Sequence, residues 1–308
     1  MKFLKLIRYQ NLLMIALMQL IFKYGFLDLQ NIPLALNDWQ YLLLILTTVL
    51  LAAGGYLINN IFDKETDSIN KPDDVVVGKF ISEDKAFNVY IALNIVAVGV
   101  GFYLANVIEK PLLSSVFIVI SGVLYLYASS LKQSLLIGNI IVAILTSFTV
   151  IIIGIFNLYP LVTPENQGFL GMIFKVLLDY ALFAFIINFI REIVKDLEDV
   201  NGDYNQGMNT LPIALGVTRT ARVVFLISFI PIVILLYYIN EYYFINQLYI
   251  ATIYSLLLVV APLIYFTVKS ASAKNKQDFH HLSLVLKFVL FFGILSALVV
   301  NLNIHLNA

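Results

Sequence analysis

Nine apolar stretches, each close to the length that crosses a lipid bilayer, divide this chain of 308 residues. A membrane-spanning helix needs about 20 consecutive, mainly apolar residues, and only helices and closed barrels satisfy the backbone within lipid. The stretches lie near residues 12–27, 39–60, 87–107, 112–128, 135–157, 172–190, 222–240, 247–268 and 284–304. We therefore expect an all-α, polytopic membrane protein, with about nine helices in a bundle and a single domain over residues 1–308.

The composition agrees with this class and excludes several functions. Charged residues make up 12% of the chain, whereas soluble domains carry about 25%. Because there is no cysteine, a thiolate nucleophile and a Cys-ligated metal are excluded. The net charge is zero and no long basic run occurs, so nothing indicates a nucleic-acid partner.

Positive charge is distributed unevenly along the connections between the stretches. Fifteen of the nineteen Lys and Arg residues precede the first stretch or lie in the second, fourth, sixth and eighth connections, whereas the odd-numbered connections contain Lys110 alone. Connections rich in Lys and Arg stay in the cytoplasm. We expect a multi-pass protein of the cell membrane, with the N-terminus and the even-numbered loops cytoplasmic and the C-terminus outside.

The most concentrated acidic segment, REIVKDLEDVNGD, follows the sixth stretch and runs from Arg191 to Asp203. Glu192, Asp196, Asp199 and Asp203 are spaced by four, three and four residues, so on a helix their carboxyls share one face. Like charges so close together repel each other unless cations lie among them. The segment therefore predicts a site for a divalent metal ion.

A second acidic segment, NNIFDKETD, follows the second stretch and places Asn59, Asp63 and Asp67 at steps of four. Four crossings separate the two segments, so both should face the cytoplasm. An offset of 129 residues aligns these three residues with Asn188, Glu192 and Asp196. A duplicated four-helix unit with one additional helix would explain this match, which is short.

The chemistry of these segments suits a diphosphate. Mg²⁺ usually takes one or two protein carboxylates and completes its shell with water and phosphate oxygens. Two facing segments would hold a diphosphate between two Mg²⁺ ions, which neutralise the charge of a departing diphosphate. The candidate cationic ligands on the same side are Arg8, Lys79, Lys132, Arg191 and Lys195. In a membrane protein this arrangement indicates a lipid diphosphate as substrate.

The two segments resemble the paired aspartate-rich motifs of the UbiA superfamily of intramembrane prenyltransferases. NNIFDKETDSINKP is similar to the first motif, N-D-x-x-D-x-x-x-D, and REIVKDLEDVNGDYNQGMNTLPIALG is similar to the second motif with its Thr-Leu-Pro tail. The similarity extends to Arg8 and Asn11 in the early R-P-x-N element, to Tyr127 and Lys132, and to Gly138-Asn139 at the start of the fifth stretch.

This resemblance implies Mg²⁺-dependent transfer of a prenyl group from a prenyl diphosphate to a membrane-soluble acceptor. It assigns metal-holding, catalytic roles to Asp63, Asp67, Asp196 and Asp199. The further expected metal ligands are Asn59, Glu192 and Asp203, and the further expected diphosphate contacts are Asn11 and Tyr127.

Three positions depart from the family pattern. Asn60 replaces an Asp of the first motif, Tyr9 replaces the early Pro, and Asp74 stands where a basic residue commonly follows Lys-Pro. Lys79, five residues after Asp74, is the candidate replacement for that basic residue.

The acceptor is the least determined part of the function. The second motif is spelled most like that of family members that alkylate a glycerol hydroxyl of geranylgeranylglyceryl phosphate, which implies geranylgeranyl transfer and ether-lipid synthesis. An aromatic acceptor, such as 4-hydroxybenzoate, a naphthoate or a porphyrin-type ring, stays open because the diphosphate half of the site would be much the same. An ion-coupled secondary transporter is the alternative from another class; it requires carboxylates near the bilayer midplane, whereas the acids here lie at the ends of stretches.

Overall fold

The computed structural model describes residues 2–70, 72 and 75–307, apart from the side chain of Lys2. Within these residues nine helices are long and apolar enough to cross a membrane, which confirms the predicted all-α, multi-pass fold. In chain order the helices are α1 (Lys2–Leu6), α2 (Tyr9–Gln30), α3 (Asp38–Phe62), α4 (Lys64–Asn70), α5 (Glu83–Val107), α6 (Pro111–Ser129), α7 (Ile137–Leu161), α8 (Gln167–Asn205), α9 (Leu211–Leu215), α10 (Val217–Phe244), α11 (Tyr249–Ser270) and α12 (Lys276–Asn307). Helices α1, α4 and α9 are short; the other nine are the membrane helices.

Two membrane helices extend beyond the apolar stretches that predicted them. Helix α8 has 39 residues and continues to Asn205, well past the predicted end near residue 190. Helix α12 begins at Lys276 rather than near residue 284. Hydropathy falls where charged residues begin, but Glu, Lys and Arg are good helix formers, so the backbone continues helical beyond the apolar part. The second acidic segment consequently lies within a helix.

The apolar residues pack into two large cores that share α8. Leu170, Ile173 and Leu177 of α8 belong to a core formed mainly with α2, α3, α5, α6 and α7. Further along the helix, Ile187 and Ile190 belong to a core formed with α10, α11 and α12. Because α8 contributes to both cores, it fixes the two halves of the bundle relative to each other.

Both acidic segments lie at one end of the bundle. Short connections make successive membrane helices run in opposite directions, so α3, α6 and α8 end where α2, α7 and α12 begin. A single cavity is lined there by Arg8 at the start of α2, Asn59 near the end of α3, Tyr127 near the end of α6 and Lys195 in the last part of α8. We call this end of the bundle the motif end.

Candidate active site

A cavity with a volume of about 260 Å³ lies between α2, α3, α6, α7, α8 and α12. A second cavity, lined by residues of α8, α10, α11 and α12, is smaller, at about 90 Å³. At the motif end the wall of the larger cavity carries polar and charged side chains, and farther in it is apolar and aromatic. The inner wall includes Phe22, Phe117, Phe148 and Ile152. The cavity therefore joins a charged region to an apolar region inside the membrane.

The first acidic segment lies where one helix ends and the next begins. Helix α3 ends at Phe62, and Asp63 follows as its C-cap residue with φ −86° and ψ 0°. Helical spacing nevertheless continues across the junction, because the Asp63 amide donates to the Asn59 carbonyl at 2.8 Å and the Asp67 amide donates to the Asp63 carbonyl at 2.7 Å. Asn59, Asp63 and Asp67 therefore follow one another along one side of the α3–α4 junction.

The carboxylate of Asp63 is held by two side chains from different parts of the sequence. Asn59 Nδ2 donates to Asp63 Oδ2, and Lys132 Nζ forms an ion pair with Asp63 Oδ1. The Lys132 side chain is only 9% exposed. Burial of the ammonium group, with the positive charge of Arg8 adding to it, lowers the pKa of Lys132 to about 8. Lys132 is predicted to bind diphosphate and Asp63 is predicted to bind metal, so this ion pair joins two residues with different predicted ligands.

Asn60 and Asp74 depart from the family pattern of the first motif, and Lys79 is the candidate replacement for the missing basic residue. Asn60 Nδ2 donates to the carbonyls of Leu6 at 3.2 Å and Tyr56 at 2.7 Å, so this residue ties α3 to the N-terminal helix. Lys79 is exposed, donates to the carbonyl of Pro72 at 2.8 Å and does not line the cavity. Asp74 lies outside the described residues. The proposed contact of Lys79 with diphosphate stays a prediction.

The early R-P-x-N element, which includes Arg8 and Asn11, contacts Tyr56 at one corner of the cavity. Arg8 adopts a left-handed backbone conformation, with φ 49° and ψ 53°, immediately before α2, which is uncommon for a residue with a side chain. Its guanidinium lies 5.3 Å from the centre of the Tyr56 ring, and Asn11 Nδ2 donates to Tyr56 Oη at 3.1 Å. Arg8 and Asn11 both line the cavity, and their contact with diphosphate stays a prediction.

In the second acidic segment, the carboxyl groups of Glu192 and Asp196 contact other side chains of the protein. Lys195 Nζ donates to Glu192 Oε1 at 2.5 Å, and Arg191 Nη1 lies 3.9 Å from the same oxygen. Asn139 Nδ2, from the start of α7, donates to Asp196 Oδ2 at 2.8 Å. Glu192 and Lys195 line the cavity, so this part of α8 presents both signs of charge to its wall.

The last turns of α8 contact the first motif and the last helix. Asn70, at the end of α4, hydrogen-bonds to the backbone of α8 at Asp199 and Gly202. Asp203 is buried. Glu198 is also buried and pairs with His280 Nδ1 of α12 at 3.1 Å. The two motifs are thus brought into contact at the motif end, as the predicted topology requires.

The residues present suit hard cations, although they do not form a preassembled cluster. Among the residues that the structure describes, no three Asp, Glu, His or Cys side chains are grouped closely enough to hold a metal ion by themselves. Asp63 and Glu192 are instead paired with lysines. Asn59 Oδ1 is buried and accepts no hydrogen bond from the described residues, so an oxygen ligand remains available beside Asp63. This donor set fits Mg²⁺, which takes few protein ligands and adds phosphate oxygens.

Three cavity-lining residues were missed as site residues by sequence reasoning. Tyr56 precedes Asn59 and Asn60 by one helical turn, and that spacing is the signal that could have identified it. Asn188 also lines the cavity, and sequence reasoning used it only in the repeat alignment. Lys287 lines the cavity from α12, and sequence reasoning counted it only as a charge within an apolar stretch.

Comparison with known proteins gives consistent matches over most of the chain. The sequence profile of the UbiA prenyltransferase family matches residues 23–300. Digeranylgeranylglyceryl phosphate synthase of Methanobrevibacter smithii is 30% identical over 255 residues, which cover 82% of this chain and 86% of that protein. The synthase of the same name from Methanosphaera stadtmanae is 27% identical over 264 residues, covering 84% and 87% of the two chains.

Solved structures share the fold. A structure concerned with digeranylgeranylglyceryl phosphate synthase in membranes superposes with a TM-score of 0.61 at 24% identity and covers 96% of this chain and 98% of its own. A UbiA homolog from Archaeoglobus fulgidus, bound to DMAPP and Mg²⁺, superposes with a TM-score of 0.55 at 14% identity, covering 96% and 99%.

The bundle and its cavity define a membrane-embedded transferase whose charged end carries two acidic motifs. The chain belongs to the UbiA prenyltransferase family. It is therefore an enzyme that transfers prenyl groups, and the alternative of an ion-coupled transporter is set aside.

Proposed function

We propose that this enzyme transfers a geranylgeranyl group from its diphosphate to a hydroxyl of geranylgeranylglyceryl phosphate, which gives an ether lipid. The observation that carries this proposal is the similarity to digeranylgeranylglyceryl phosphate synthases over more than four fifths of both chains. The spelling of the second acidic motif supports the same acceptor.

We propose that two Mg²⁺ ions are held between the first motif and the second. The first motif would contribute Asn59, Asp63 and Asp67, and the second Glu192, Asp196, Asp199 and Asp203. The free acceptor atom of Asn59 and the Mg²⁺ in the A. fulgidus homolog support this assignment. When bound, Mg²⁺ neutralises the negative charge that develops on the departing diphosphate.

The chain's own cations complete the diphosphate site. Arg8, Arg191 and Lys195 line the charged region of the cavity, and Lys132 lies beside Asp63. Charge-assisted hydrogen bonds from these groups hold the diphosphate. As phosphate oxygens and metal arrive, Lys132 would exchange Asp63 for the diphosphate. Ionisation breaks the bond between the allylic carbon and the diphosphate. The acceptor hydroxyl oxygen then forms a new bond to that carbon and loses its proton, which the departed diphosphate accepts.

The apolar region of the cavity has two roles in this mechanism. Its aromatic and aliphatic wall binds the hydrocarbon of the prenyl chain, because burial of apolar surface is favourable. The same wall keeps water away from the allylic cation, which water would otherwise trap as an alcohol. Aromatic rings such as Phe117 and Phe148, which line the cavity, can also stabilise a cation through their faces.

We propose that the motif end faces the cytoplasm, with the C-terminus outside the cell membrane. The concentration of Lys and Arg in the connections at this end supports the orientation. A cysteine introduced at the exposed Lys79 should be labelled by an impermeant maleimide only after spheroplasts are opened, whereas one at the exposed Leu112 should be labelled from outside. The reverse labelling pattern would overturn the orientation.

The function can be tested with protein purified in detergent. Geranylgeranyl diphosphate is supplied with geranylgeranylglyceryl phosphate or with 4-hydroxybenzoate, and products are identified by mass spectrometry. We expect the ether product only with the glyceryl phosphate, dependence on Mg²⁺, and loss of turnover in Asp63→Ala and Asp196→Ala. Prenylated 4-hydroxybenzoate as the main product would overturn the proposed acceptor, and full activity of both variants would overturn the assigned site.

A further inference from the structure

Lys287 places a positive charge inside the membrane bundle, away from both acidic motifs in sequence. It belongs to α12 and lines the larger cavity together with Leu290, Gly293 and Ile294. These residues follow at steps of three, three and one, so they form one stripe along the helix. The stripe faces the cavity, which places the Lys287 ammonium group against the space available to substrate rather than against lipid alone.

No described residue neutralises this charge. Lys287 forms no hydrogen bond or ion pair with the part of the chain that the structure describes. The charges that act on it are those of Arg191 and Arg8, and both repel it. Glu192, the acidic residue of the cavity wall, is already paired with Lys195 and Arg191. Lysine is rare in membrane helices and usually faces a partner or a cavity, so an unpaired lysine that lines a cavity is a functional candidate.

The position of Lys287 separates it from the metal-binding end. Arg191 Nε donates to the Ser283 carbonyl at 3.3 Å, which fixes the register of α8 against α12. Lys287 lies four residues beyond Ser283, about 6 Å farther into the bundle. Asp63 and Asp67 lie instead where α3 meets α4 and do not line the cavity. A group bound at Lys287 therefore lies in a part of the cavity whose only carboxylate among the lining residues is Glu192, which is paired with Lys195.

We propose that Lys287 binds the phosphate group of a phosphomonoester acceptor and selects acceptors that carry it. The inference rests on the proposed function. A donor diphosphate needs the aspartates of the two motifs, which do not line the cavity beside Lys287, whereas a phosphomonoester can be bound by an ammonium group without a metal. Binding such an anion would also relieve the repulsion among Lys287, Arg191 and Arg8. Lys287 thus supplies the part of the site that distinguishes one acceptor from another.

The test compares Lys287→Gln and Lys287→Arg with the unaltered enzyme on two acceptors, geranylgeranylglyceryl phosphate and its dephosphorylated alcohol. Loss of a charge-assisted contact should raise the KM for the phosphorylated acceptor about 10-fold to 100-fold. The KM for the donor and the rate with the alcohol should stay the same. Lys287→Arg should recover most of the affinity, because it keeps the charge. Lys175→Gln is the matched control. Lys175 also lies in a membrane helix, but it is not among the residues that line the larger cavity.

A second measurement needs no turnover. In EDTA, geranylgeranylglyceryl phosphate should raise the unfolding temperature of the unaltered enzyme and of Lys175→Gln, but not that of Lys287→Gln. An increase in donor KM with unchanged acceptor KM would overturn the inference by assigning Lys287 to the diphosphate. Equal losses with both acceptors would also overturn it, because they indicate a structural role. Absence of the ether product from the unaltered enzyme is a different outcome, which overturns the proposed function and this inference together.

Discussion

Asn70 and Asp199 join the two acidic motifs through a hydrogen bond of 2.9 Å, from the side-chain Nδ2 of Asn70 to the main-chain carbonyl of Asp199. Asn70 Oδ1 accepts a second hydrogen bond from the Gly202 amide, also at 2.9 Å. Lys276 Nζ, at the start of α12, donates to the Asn70 carbonyl at 2.5 Å. One buried asparagine thereby holds the short helix of the first motif against the helix of the second.

Removing this link should weaken metal binding. We expect Asn70→Ala to raise the Mg²⁺ concentration for half-maximal activity several-fold, because its two hydrogen bonds, at about 1 kcal/mol each, hold the motifs at their working distance. Gly202→Ala should act similarly, since a Cβ at Gly202 would overlap the amide group of Asn70. Mg²⁺ titrations of initial rate measure both effects.

The double variant distinguishes a specific link from general damage. In Asn70→Ala the space beside Gly202 is vacated, so the added Gly202→Ala change should cost little more, and the two effects should not add. Additive effects in the double variant would show that Asn70 and Gly202 act independently. Asn106→Ala is a suitable control, because the exposed Asn106 side chain donates to the Phe102 carbonyl of its own helix.

Asn139 should position the Asp196 carboxylate. The hydrogen bond of 2.8 Å from Asn139 Nδ2 to Asp196 Oδ2 orients a predicted metal ligand from a neighbouring helix. We expect Asn139→Ala to lower kcat by about 10-fold to 100-fold, the usual cost of losing a group that orients a metal ligand. The protein should remain folded with an unchanged acceptor KM. A normal kcat at saturating Mg²⁺ would rule out this role.

Lys132 should contribute mainly through its charge. We expect Lys132→Met to raise the KM for the prenyl diphosphate by about 10-fold or more, because a charge-assisted contact is worth about 1.5–3 kcal/mol. Lys132→Arg should retain a larger part of the affinity. The decisive measurement is the donor KM in the two variants at fixed, saturating acceptor. Equal increases in both would mean that the shape of the side chain matters more than its charge.

Two glycines of α5 provide a matched test of packing. A Cβ at Gly101 would overlap the ring of Phe117, whereas a Cβ at Gly99 would meet nothing within 4 Å. Gly101→Ala should therefore destabilise the protein by about 1–3 kcal/mol through overpacking. Gly99→Ala should be neutral or slightly stabilising, since alanine favours helix. Thermal unfolding in detergent compares the two, and an equally large loss in Gly99→Ala would contradict the packing argument.

The sequence was sufficient to predict the fold because few backbone structures can cross a lipid bilayer. Apolar length predicted all nine membrane helices found in the described residues, since a spanning segment must bond its own backbone. The apolar stretch ends near residue 190 whereas α8 continues to Asn205, because hydropathy reports the lipid boundary and not the end of helical hydrogen bonding. The spacings of three and four in the two motifs place their polar residues along shared sides, since both segments keep helical spacing.

The contacts within the site could not be predicted in the same way. Lys132 with Asp63 and Asn139 with Asp196 are separated by dozens of residues, and their meeting depends on how the helices pack. Lys287 is a clearer case. In sequence it interrupts an apolar stretch without any motif, and only the packing of α12 against α8 turns it toward the cavity. The individual metal and diphosphate ligands stay predictions until they are tested.

The junction at Asp63 makes the two motifs structurally unequal. The second motif lies within one uninterrupted helix, α8, which also contributes to both cores. The first motif is divided between two helices, because α3 ends at Phe62 and α4 begins at Lys64. The position of Asp67 relative to Asn59 therefore depends on the backbone at Asp63 and on the hydrogen bonds by which Asn70 holds α4 against α8.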